Sequence, residues 1–129
     1  MIGYATVGTN DLEKARGFYD ALTEVIGAKR VMQLDEGFIG YGKDMSEPML
    51  CLTPPFNGEK ATPGNGMMIA LQAANRAEVD ALHSKALELG AADEGAPGIR
   101  EPEAMGFYAA YFRDLDGNKL CAFNVGSAD

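Results

Sequence analysis

Hydrophobic and polar positions fall into two rounds of one pattern. Residues 2–7 alternate as a strand, with Tyr4 and Thr6 on one face and Ala5 and Val7 on the other. Leu12, Ala15, Tyr19, Leu22 and Ile26 then recur at helical spacing and predict an amphipathic helix. Asn10, with Glu13 three residues on, reads as the start of that helix, and Gly27 as the residue that closes it. Three strands are expected next, over residues 29–34, 37–41 and 49–53. Asp35-Glu36-Gly37 is a turn, and residues 42–48 are a loop.

Residues 54–66, PPFNGEKATPGNG, are rich in Pro and Gly and read as a connector that could also touch a ligand. After it the pattern restarts. Residues 67–71 are strand-like, and Asn75 with Glu78 repeats the helix start. Val79, Leu82, Ala86 and Leu89 repeat the helical spacing, and Gly90 repeats the closing glycine. The landmarks of the two rounds lie roughly 63 to 65 residues apart, about half the chain. A short strand over residues 92–94 and a Gly/Pro-rich loop over 95–98 lead to the last segment.

That segment, GFYAAYFRDLDGNKLCAF from Gly106 to Phe123, reads as a hairpin turning at Asp116-Gly117-Asn118. Alternation puts Ala109, Tyr111 and Arg113 on one face and Tyr108, Ala110 and Phe112 on the other. In the return strand, Lys119, Cys121 and Phe123 share one face, and Leu120 and Ala122 the other. One face should pack on a helix and the other should look into a cleft.

Each half therefore reads β-α-β-β-β. The expected fold is α+β: two βαβββ modules related by an internal pseudo-twofold, whose curved mixed sheets enclose a cleft. Residues 1–129 are read as one domain, with module one over about 1–55 and module two over about 66–126.

Composition narrows the function. With 47% hydrophobic residues the chain can build a core. A net charge of -8 argues against nucleic acid and against an anionic membrane surface, and favours a neutral or cationic ligand. No apolar run approaches the roughly 18 residues of a membrane helix. Neither a signal peptide nor a disulfide framework is read from the sequence, and a cytoplasmic location is expected.

Three stretches give a family resemblance: Tyr4-Ala-Thr-Val-Gly-Thr-Asn-Asp-Leu, Ala15-Arg16-Gly17-Phe18-Tyr19, and Arg113-Asp-Leu-Asp-Gly-Asn-Lys-Leu. With the duplication, the chain resembles the vicinal oxygen chelate superfamily, which includes glyoxalase I, extradiol dioxygenases, fosfomycin-modifying enzymes and bleomycin-resistance proteins. Metal-using members take His, Gln or Glu ligands from the first and last strands of each half. Imidazole and carboxylate suit divalent Mg, Mn, Fe, Ni or Zn with positions left open for substrate oxygens.

The resemblance maps those ligand positions onto Tyr4, Cys51, Met68 and Cys121. None is a usual ligand, so the usual divalent metal is not expected and no metal site is assigned. Zn or Cu(I) held by Cys51 and Cys121 is an alternative for the two thiols, as is a reactive thiol or simple space-filling. Tyr111 matches a substrate-contacting Tyr of fosfomycin-type members. Tyr41, Phe56, Arg100 and Tyr108 are further rim candidates, near loops that could cap the cleft. His83, the one histidine, is read as a surface residue of the second helix and not as a ligand.

Catalytic residues are not assigned. The first expectation is a binding protein that holds a small, partly apolar molecule in the cleft, as bleomycin-resistance members do. The alternative is a glyoxalase- or dioxygenase-type enzyme with an atypical or metal-independent site, using Tyr4 or Tyr111 as acid or base, or Cys51 or Cys121 as nucleophile. A structural or regulatory dimer with no small ligand is the third reading. The resemblance also implies a homodimer.

Overall fold

The computed structural model describes residues 1–35 and 37–126. Glu36, placed in the expected turn, lies outside the described residues. Module one runs β1 (Tyr4–Gly8), α1 (Leu12–Glu24), β2 (Lys29–Gln33), β3 (Ile39–Gly42) and β4 (Met49–Thr53). Module two runs β5 (Ile69–Gln72), α2 (Arg76–Glu88), β6 (Ala92–Ile99), β7 (Phe107–Arg113) and β8 (Lys119–Val125), with a short 3₁₀ turn at Glu103–Met105. The expected α+β architecture of two βαβββ modules is present.

The strands form two four-stranded sheets of matching order, β1-β4-β3-β2 and β5-β8-β7-β6. In each, the first strand pairs parallel with the last, and the remaining pairs are antiparallel. The register makes the duplication concrete. Thr6 stands opposite Cys51, and Ala70 stands opposite Cys121. The two cysteines therefore hold equivalent places, and counting back two residues makes Met68 the counterpart of Tyr4.

The helix faces of both sheets share one hydrophobic core. Val7, Ile39, Leu50 and Leu52 meet Phe18, Tyr19 and Leu22 of α1, while Val79, Leu82 and Ala86 of α2 meet Ala110, Phe112, Leu120 and Ala122. α1 also touches α2. Period-2 alternation explains the division, because the intervening residues must point to the opposite face.

Local signals set the helix ends. Asp11, not Asn10, caps α1, accepting the Lys14 amide at 3.2 Å. Asn10 instead clamps the connector: it accepts from the Ala61 amide at 2.7 Å and donates to the Ala61 carbonyl at 3.0 Å. Asn75 caps α2 as expected, and Glu78 reaches back to the Ala74 amide. Gly27 and Gly90, after the two helices, both adopt positive φ.

Two expectations need correction. β6 is longer than residues 92–94, continuing to Ile99 with two register breaks against β7. The Gly/Pro-rich sequence there makes bulges and not a loop. His83 is buried, not at the surface: Nε2 lies 3.0 Å from Asp93 Oδ1, and the ring meets Phe112 edge-on. It sits four residues after Val79, inside the apolar stripe.

Candidate functional site

Each sheet turns one face away from its helix. On the first sheet, Gly40 lies opposite Cys51. A side chain on Gly40 would come within 3.4 Å of Cys51 Sγ, 3.0 Å of Met49 Sδ and 3.6 Å of Met32 Cβ, so glycine leaves room for thioethers beside the thiol. Cys51 is fully buried, outside the helix-side core cluster. Tyr4, 56% exposed, packs edge-on against Phe38 at 5.9 Å between ring centroids. This face is apolar and lined by phenol, thioether and thiol.

The second sheet differs at one decisive place. Tyr111 stands opposite Cys121, where module one has Gly40. Tyr111 and Cys121 are thus direct cross-strand neighbours. Arg100 Cζ lies 5.2 Å from the Tyr111 ring centroid and Lys119 Nζ lies 5.4 Å from it. Arg100 is held there by its Nη2, which donates to the carbonyls of Ala96 at 2.6 Å and Ala109 at 2.9 Å. Phe107 and Phe123 stack at 5.5 Å farther along the same face.

The environment suppresses thiol and phenol ionisation. Burial pushes the Cys51 thiol up. Burial also pushes Cys121 up, and the neighbouring Tyr111 with the nearby Arg100 and Lys119 charges only partly opposes it. Tyr111 is raised chiefly by burial, with Cys121 adding to the effect.

Two rim candidates, Tyr41 and Tyr108, point to the helix side of their sheets, where Tyr41 also lines a cavity. Tyr41 is buried in the helix-side core, and its hydroxyl donates to Asp20 Oδ1 at 2.9 Å. It shares strand parity with Ile39, which fixes that orientation. Tyr108 likewise leans toward α2, donating to Asp80 Oδ1 at 2.6 Å with Arg76 over its ring. Phe56 is fully exposed in the connector. Arg100, just after β6, lies over the Tyr111 ring, a placement the β6 bulges create and the sequence pattern does not signal.

A cavity of about 850 Å³ lies between the end of α1, at Thr23 and Ile26, the β3–β4 region around Tyr41 and Met49, and β5. A smaller one of about 120 Å³ is lined by Thr6, Thr62, Met68, Asn118 and Lys119, where the edges of the two sheets approach. Met68, 41% exposed, lines both, whereas Tyr4, Cys51 and Cys121 line neither. The structure thus joins Tyr111, Cys121, Arg100 and Lys119 directly, and brings Met68 near Lys119. Tyr4 and Cys51 belong to module one.

A hard divalent ion does not fit the donors at the four mapped positions. Phenol, thioether and two buried protonated thiols lack the imidazole and carboxylate such an ion prefers. Among the described residues, no three His, Cys, Asp or Glu side chains are grouped to hold a metal. No helix among them is long and apolar enough to cross a membrane.

The fold has solved counterparts. A glyoxalase/bleomycin resistance protein from Albidiferax ferrireducens T118 is 35% identical, with a TM-score of 0.86 over 95% of this chain and 98% of its own. A hypothetical protein from S. aureus is 28% identical, with a TM-score of 0.68 over 95% of each chain. A lactoylglutathione lyase from Agrobacterium tumefaciens, 23% identical, shares the fold at a TM-score of 0.63 over 95% of this chain and 92% of its own. No curated protein matches the chain. The family model of the Glyoxalase/Bleomycin resistance protein/Dioxygenase superfamily matches residues 1–122, and the chain belongs to that superfamily.

Proposed function

We propose that this protein binds a small, partly apolar molecule on the helix-free faces of its sheets, without a hard divalent metal centre. The observation that carries this reading is the lining itself. By the resemblance, Tyr4, Cys51, Met68 and Cys121 map to the positions where metal-using members of the superfamily place imidazole and carboxylate. Met32, Met49, Phe107 and Phe123 extend the apolar surface around them. Such a surface with a few polar groups is the usual make-up of a small-molecule site.

Nothing in the geometry favours the enzymatic alternative. A nucleophile or general base needs a pKa brought toward neutrality, and burial drives both thiols and Tyr111 the other way.

The proposal includes a homodimer. β1 and β5 are each hydrogen-bonded to a strand on one side only, and Ile2, Tyr4, Met68 and Val125 are exposed. A second copy would cover such edges.

Metal analysis of the purified protein, joined to a thermal-shift screen of aromatic metabolites, tests the reading. We expect no stoichiometric Mg, Mn, Fe, Ni, Zn or Cu, and at least one ligand that raises the melting temperature. Divalent metal retained at one per chain would overturn it. Light scattering in solution should give twice the chain mass, and a monomer would remove the dimer from the account.

A further inference from the structure

The chain carries 19 acidic residues against 11 basic ones, so its average field repels anions. On the second sheet two cations lie over the Tyr111 ring. Arg16, Arg30, Lys85 and Arg113 are each paired with a carboxylate. Of the cations without a carboxylate partner among the described residues, only Arg76, Arg100 and Lys119 are partly buried, and Arg100 and Lys119 share one ring. Arg113, opposite Lys119 across the strands, is already taken by Glu94.

The two cations reach the Tyr111 ring from the strands that flank β7, Arg100 from the end of β6 and Lys119 from β8. The Arg100 guanidinium is also incompletely used, because its Nε is buried and without a partner. Buried donors are normally satisfied, and a charged one is costly to leave alone. Lys119 also lines the 120 Å³ cavity beside Met68 and Thr6, so its surroundings open toward the apolar face.

We propose that this corner recognises an organic carboxylate, with Lys119 and Arg100 binding the anionic group beside Tyr111. The apolar body of the ligand lies along Met68 and the Phe107–Phe123 stack. This rests on the binding function proposed above and names its ligand class. It also replaces the neutral or cationic ligand that net charge alone suggests, since a ligand responds to the field where it binds.

Three probes with one ring and different charge separate the possibilities: benzoate, benzyl alcohol and benzamidine. Binding is measured by calorimetry on the intact protein and on Lys119→Met and Arg100→Met. Benzoate should bind tightest and should weaken about tenfold or more in each variant, as expected for loss of a charge-assisted contact. Benzyl alcohol should be insensitive to both substitutions. Arg100→Met also removes the bonds to Ala96 and Ala109, so misfolding of that variant would leave Lys119→Met as the deciding arm.

Benzoate affinity unchanged in Lys119→Met, or benzamidine binding as tightly as benzoate, would overturn the proposal. If benzyl alcohol binds as well as benzoate and ignores Lys119, the apolar site stands and the carboxylate falls. If no probe binds, both fall.

Discussion

Tyr19 of α1 donates its hydroxyl to Oδ2 of Asp114, in the turn between β7 and β8, 95 residues away in the chain. Asp114 is buried and accepts in addition from the amides of Asp116 and Asn118, each at 2.9 Å, and from Asn118 Nδ2. Asn118 Nδ2 also reaches the Gly8 carbonyl at 2.9 Å, and Asp116 Oδ1 accepts from the Asn10 amide. The turn of module two is thus tied to the end of β1 and to α1. This knot fixes how the two sheets sit, and so where their helix-free faces point.

Tyr19→Phe removes one donor from a buried carboxylate and keeps the ring. The expected loss is about 1–3 kcal/mol of stability. Urea denaturation measures it, and an unchanged midpoint would show that the knot contributes nothing.

Alkali should destabilise the protein through the same residue. Burial and Asp114 hold the Tyr19 phenol well above its ordinary value, and burial with Asp20 does the same for Tyr41. A raised folded-state pKa means that stability is intact below the unfolded tyrosine value of about 10 and falls as pH climbs past it. Unfolding free energy followed from pH 8 upward should decline beyond that point. The decline should be shallower in Tyr19→Phe.

The two thiols should be inert in the folded protein. Cys51 and Cys121 are 0% exposed, and burial keeps both protonated at neutral pH. A thiol reagent at neutral pH should react slowly with native protein and with two equivalents after unfolding. A fast stoichiometric phase in the native state would reopen the nucleophile reading.

Gly95→Ala tests the packing that seats Tyr111. A Cβ there would lie 3.1 Å from Tyr111 Cδ2 and 3.4 Å from an Arg100 guanidinium nitrogen. The ring or the guanidinium must move, with an expected cost of about 1–3 kcal/mol. Shifted Tyr111 ring resonances together with a lowered denaturation midpoint would confirm the contact. Unchanged spectra would show that it is slack.

The division between helix face and helix-free face was legible wherever a strand alternates. Leu50 and Leu52 flank Cys51, and Leu120 and Ala122 flank Cys121, so parity alone separates them. The same rule puts Tyr41, two residues from core residue Ile39, on the helix side. His83 was equally readable, since the Val79 stripe includes its position. Arg100 was not, because its reach over Tyr111 depends on bulges in β6 that alternation does not encode. The burial of Asp114 was also hidden: a hairpin turn is recognisable locally, but its partner Tyr19 is brought to it only by tertiary packing.

The central claim is that ligand binds on the helix-free faces, and the methionine methyl spectrum tests it most directly. Seven methionines give seven probes. During titration with an aromatic metabolite that raises the melting temperature, the methyls of Met68 and Met49 should shift and saturate together, while those of Met45 and Met105 stay fixed. Shifts confined to methionines away from those faces, or no shift at all, would contradict the account.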